Sequence, residues 1–122
     1  MHTIKKQSYE EFYVWGNFAR PEPNEVGLGD GENLDATAIS DPPNSPDGGA
    51  GVYYNHVVAV DADGNDAPQI LEDESLLIDG QKLGIRVKDG ISDESPYKLT
   101  FRSVAEDGQR FEIDVKVKIK NI

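Results

Sequence analysis

Two histidines, His2 and His56, and no cysteine make up the residues from which most nucleophile–base pairs and zinc sites are built. His2 stands at what reads as a frayed terminus, and His56 lies in a β-rich run between Asn55 and Val57. Neither sits beside a nucleophile elbow, so a Ser-His-Asp arrangement has no local support. Without a His or Cys cluster, zinc has no ligand set. Gly27-Leu28-Gly29-Asp30-Gly31 lacks the third glycine of a dinucleotide fingerprint at its proper offset, and it follows a proline loop rather than a strand. The nearest approach to a metal motif is Asp61-Ala62-Asp63-Gly64-Asn65, with Glu72 at the twelfth position. Oxygen ligands at alternate positions and a carboxylate at the twelfth are the spacing of an EF-hand loop. The sixth-position glycine is Asp66 here, Pro68 interrupts the loop, and no amphipathic helix flanks it. Asp, Gly and Asn are also what a hairpin turn selects. A turn is therefore expected, with weak Ca²⁺ binding by Asp61, Asp63 and Asn65 left open. The expectation is a chain that is not an enzyme, with no catalytic, cofactor-binding or metal-binding residues.

The elements that would position any site are strands. Over 110–120, Phe111, Ile113, Val115, Val117 and Ile119 alternate with Glu112, Asp114, Lys116, Lys118 and Lys120. A period of two means one buried and one wet face. Tyr97, Leu99 and Phe101 alternate with Lys98, Thr100 and Arg102, and Leu83, Ile85 and Val87 with Lys82, Arg86 and Lys88. Asp89-Gly90 and Asp107-Gly108 supply the turns, so 82–120 reads as a three-strand meander. Upstream, strands are expected over 33–40 and 52–60, and an arm over 69–78 in which 71–77 has a helical turn as its alternative. The loop at 41–49, rich in Pro, Asp and Gly, separates the first two. Phe12-Tyr13-Val14-Trp15 with Phe18 is the densest aromatic patch and holds the single Trp. Trp15 fits the core of an ordinary first strand; the patch as a whole also fits an interface. Residues 1–11 read as a polar arm ahead of a single domain, 12–122. Six or seven short strands, turn signals every 8–14 residues or so and no convincing helix predict an Ig-like antiparallel β-sandwich.

Net charge is −11. This disfavours nucleic acid and anionic membranes as partners, since both are polyanions. The charge is also segregated: residues 21–81 hold 14 acidic residues and no Lys or Arg. Solvated loops explain this, as does an acidic face for a basic partner or for cations. No secretory h-region opens the chain, and no run approaches the roughly 18 apolar residues of a membrane span.

The order of elements is familiar. Lys82-Leu83-Gly84-Ile85-Arg86-Val87 runs into Lys88-Asp89-Gly90; Pro96-Tyr97-Lys98-Leu99-Thr100-Phe101-Arg102-Ser103-Val104 follows, then Asp107-Gly108 and the closing strand. Residues 83–119 resemble small phage and prophage structural proteins of the fibre–tail adaptor type, which are tail-associated β-sandwiches. That family carries an upstream Asp-Trp-x-x-Trp segment. Here Trp15 matches, while Val14 and Phe18 stand where the family has Asp and the second Trp. The resemblance implies a virion component without catalysis or cofactor. It implies other virion or tail proteins as partners, with a homo-oligomer as an option. Its location is then the virion, or otherwise the bacterial cytoplasm. The alternative function is an Ig-like adhesion or carbohydrate-binding module, with Tyr53 or Tyr54 stacking on sugar. Adjacent strand residues point to opposite faces, so only one of them is expected in such a platform.

Overall fold

The strictest alternation gives the longest strand. In the computed structural model, which describes residues 2–22, 25–39, 53–72, 75–90 and 92–120, Arg110–Ile119 forms the last of seven strands. The others are β1 (His2–Lys6), β2 (Phe12–Asn17), β3 (His56–Val60), β4 (Leu77–Asp79), β5 (Lys82–Val87) and β6 (Tyr97–Val104), with Arg110–Ile119 as β7. They form two sheets, ordered β1-β7-β6-β3 and β2-β5-β4. Strands β3-β6-β7 against β2-β5-β4 is the immunoglobulin sandwich arrangement, with the first strand placed on the outer edge of β7. The chain is a β-sandwich, as its patterning predicts.

The inward faces meet in one core. Val14, Leu83, Ile85 and Val87 come from one sheet; Val57, Leu99, Phe101, Val115, Val117 and Ile119 come from the other. Tyr97 opens β6 fully buried, two residues before Leu99. These are the positions of the tyrosine corner and of the second cysteine in antibody-type domains. With Leu99 there and no cysteine in the chain, the sheets are joined at this point by apolar packing rather than a disulfide.

Several expectations are corrected. The stretch 82–120 is not one meander: β5 pairs with β2 and β4, and the chain crosses to the other sheet before β6. The sandwich is not wholly antiparallel, because β1 runs parallel to β7, with Ile4 opposite Val117 and Lys6 opposite Ile119. Thus part of the expected polar arm is an edge strand. Lys6 faces inward and is buried. Its Nζ donates to the carbonyls of Gln7 (3.0 Å), Ser8 (3.3 Å) and Asp89 (2.7 Å), one for each ammonium hydrogen. Burial lowers its pKa, and Asp89, Glu10 and Glu11 pull it back up. The 69–78 arm begins in the 3-10 turn Pro68–Ile70 and ends in the strand Leu77–Asp79, and no other strand lies among its described residues. The loop at 41–49 and the start of the 52–60 run lie outside the described residues.

Of the expected 33–40 strand, the described residues 33–39 form no strand; among them Leu34 and Ile39 make isolated bridges. Asp35 turns the chain instead, its Oδ1 accepting from the Thr37 hydroxyl (2.6 Å) and N–H (3.0 Å). The Thr37 hydroxyl, and then its N–H, hold the Asp35 pKa below the ordinary 3.8. Gln109 does the same for Asp107, through its side chain first. A carboxylate with a depressed folded pKa stabilises the fold above the unfolded value, and that contribution is lost as pH falls through the folded value. Thr37→Val should therefore flatten the acid limb of a stability–pH curve below about pH 4, checked by urea unfolding at stepped pH.

Candidate functional site

Strand alternation decides what the sandwich shows to solvent. Val14 points into the core, so its neighbours Tyr13 and Trp15 point out. On β5, Arg86 lies opposite Tyr13 and Gly84 opposite Trp15; on β4, Leu77 lies opposite Gly84. The indole takes the space that Gly84 leaves: a Cβ built there would sit 2.5 Å from Trp15 Cε3. Tyr13 stacks on Trp15 at 5.7 Å between ring centroids, and Arg86 stands 5.4 Å from the Tyr13 ring on the way to Glu11. The Tyr13 hydroxyl donates to the Ser75 carbonyl at 2.9 Å. Trp15 remains 40% exposed and Leu77 48%. The core placement of Trp15 is thereby overturned: the single Trp is the centre of an outward apolar face. Phe18, three residues on, is the member of the aromatic patch that enters the core.

Gly84→Ala should push the indole off the sheet. Because the obstacle is a tiltable side chain on the outer face, the expected cost is modest, about 1 kcal/mol. The emission of Trp15 should move toward that of a solvated indole, which a fluorescence spectrum checks.

The outer face of the other sheet is charged in steps. Along β6 and β7, Lys98 lies opposite Lys116, Thr100 opposite Asp114 and Arg102 opposite Glu112. Thr100 donates to Asp114 at 2.8 Å, and Arg102 to Glu112 at 2.7 Å. The β1 pairing places Lys5 opposite Lys118, so lysines far apart in the chain share one end of this face. Like charges directly opposite repel, and Lys5 lowers the pKa of Lys120. The alternation marks Lys116, Lys118 and Lys120, but that Lys5 joins them follows only from the parallel pairing of the two chain ends.

The residues weighed for chemistry scatter. His2 opens β1 and His56 opens β3, in the same sheet but on strands at its opposite edges. Tyr53 and Tyr54 precede β3 rather than lying in it. Freed from strand alternation, both line one groove with His56. Gly27, at φ +143°, lets the chain fold back onto β2's end, where a Cβ would fall 2.7 Å from the Arg20 backbone. Leu28 N–H donates to the Phe18 carbonyl there at 2.7 Å.

Asp61 is spent on its turn. Its Oδ1 accepts from the N–H groups of Asp63 (2.9 Å) and Asn65 (3.0 Å). Glu72, the twelfth residue of the EF-hand-like spacing, pairs with Lys88 at 3.0 Å. Among the described residues, no group of three or more His, Cys, Asp or Glu is gathered to hold a metal ion. Asp61→Ala should leave two backbone donors without an acceptor and lower stability by about 1–2 kcal/mol. Asp61→Asn, which keeps the oxygen, should recover most of that in urea unfolding.

The acidic stretch is likewise partly structural. Glu32 accepts from Gly29 N–H at 2.6 Å and from Gln109 Nε2 at 2.7 Å, while Gln81 Nε2 donates to the Gly29 and Glu32 carbonyls. No helix among the described residues is long and apolar enough to cross a membrane. No family model matches the chain, and no curated protein matches it.

Proposed function

We propose that the chain is a non-enzymatic structural component of a phage or prophage virion, a tail or head–tail/fibre adaptor protein that acts by protein–protein assembly. The observation that carries this reading is the outward Trp15, seated on Gly84 between Tyr13 and Leu77. A stable sandwich that turns its single Trp outward has placed a large rigid contact group where a partner can reach it. Among the described residues, the strand bearing it, β2, is an edge of its sheet. A partner can therefore add an extended segment to that edge and lay apolar side chains on the aromatic face. The order of elements over 83–119 supports the virion setting.

Particles released by the organism that encodes the chain, banded by density, should carry it. A Trp15→Ser variant should fold and stay in the unassembled pool. Particles that lack the chain would contradict the virion role, and particles that incorporate Trp15→Ser normally would contradict this docking surface.

A further inference from the structure

A second surface, independent of Trp15, carries its own chemistry. The groove lined by Tyr53, Tyr54, His56, Arg102, Arg110 and Glu112, together with parts of β6 and β7, has a volume of about 400 Å³. That is within the range of small-molecule sites.

His56 is 2% exposed, and its Nδ1 lies 2.9 Å from the Tyr54 carbonyl. A carbonyl only accepts, so Nδ1 carries the hydrogen and Nε2 of the neutral ring presents a lone pair. Among the described residues, this Nε2 is the buried side-chain polar atom left with no hydrogen-bond partner. Buried polar atoms are rarely left so; this one calls for a donor. Arg110 supplies the second feature. Its guanidinium lies 3.7 Å from the centroid of the Tyr53 ring, whereas Arg102 is engaged by Glu112 at 2.7 Å. None of the ion pairs between described residues includes Arg110. A guanidinium held against a ring keeps its N–H edge available for a carboxylate.

We propose that this groove binds a small sugar acid, whose carboxylate meets Arg110 and one of whose hydroxyls donates to His56 Nε2. Tyr54 offers apolar surface to the sugar's C–H face, since Arg110 already lies over the Tyr53 ring. Two arginines against Glu112 leave one net positive charge among these residues. This suits a monoanion, while the protein's overall −11 opposes a polyanion.

Isothermal titration with glucuronate, with glucose as the neutral control, tests this. Saturable glucuronate binding at millimolar concentrations is expected, with glucose at least about tenfold weaker, the equivalent of losing one charge-assisted contact. Arg110→Gln should remove the preference for the acid, and His56→Phe should weaken both sugars. Arg110 is exposed, so its variant serves even if His56→Phe fails to fold. Trp15→Ser should leave the titration unchanged, which separates this site from the assembly face. No saturable glucuronate binding, equal binding of glucose, or an undiminished preference in Arg110→Gln would overturn the proposal.

Discussion

Asn55→Ala should lower the stability of the fold by about 3 kcal/mol, the largest loss expected from any single polar side chain described above. Asn55 is fully buried just before β3. Its Nδ2 donates to the carbonyls of Asp35 and Ala38, both at 2.9 Å, and its Oδ1 accepts from Val104 N–H at 2.8 Å. Its own N–H also donates to the Ala38 carbonyl at 2.7 Å. One side chain thus ties the 35–38 turn to the end of β6. Alanine removes all three side-chain bonds, each contributing about 1 kcal/mol net, and it leaves the Val104 N–H without its acceptor, while the Asp35 and Ala38 carbonyls keep backbone donors. The midpoint of urea unfolding should fall while the slope stays unchanged. Asn55→Asp, which keeps the acceptor for Val104 but loses both donors, should also destabilise, since its charge would be buried beside two carbonyls.

Trp15→Ser should have the second large effect, on assembly rather than on folding. A buried aromatic anchor at the centre of an interface typically contributes about 2 kcal/mol or more, roughly 30-fold in affinity. The same substitution should change stability less, because much of the indole is already in water. Leu77→Ser, on β4 across β5 on the same face, should weaken assembly in the same direction. Val26→Ser provides the contrast: Val26 is 84% exposed but lies in the loop after β2, outside this face. Incorporation into particles, compared across the three variants, measures all of this at once.

The sequence discloses the strands where one phase of alternation is clearly apolar. Strands β5, β6 and β7 have an apolar residue at nearly every second position, so their bounds are readable within a residue or two. It does not disclose how they pair. Chain proximity suggests β5 beside β6, yet β5 completes the other sheet between β2 and β4. Strand β1 is hidden because Ile4 is its one apolar residue and its buried Lys6 is made tolerable only by three carbonyls brought from two segments. Residues 33–40 mislead because their weak alternation competes with the hydrogen bonding of Asp35 to Thr37, which wins.

The candidate surfaces show the same limit. Phe12-Tyr13-Val14-Trp15 is apolar in both phases, so the run alone cannot say which side chains face out. The space above Gly84 is visible only in the paired sheet. For His56, the sequence shows a lone strand histidine; the unpaired Nε2 appears only once the Tyr54 carbonyl is seen to take Nδ1.

The most direct test of the central claim, an outward-facing Trp15 on a folded sandwich, is acrylamide quenching of the chain's single Trp. A neutral quencher avoids the bias that the protein's negative charge imposes on iodide. The native chain should be quenched by acrylamide while still folded, with an emission between that of a core indole and that of the urea-unfolded chain, as its 40% exposure requires. A blue-shifted emission, protected from acrylamide until the fold is lost, would place Trp15 in the core and contradict the account.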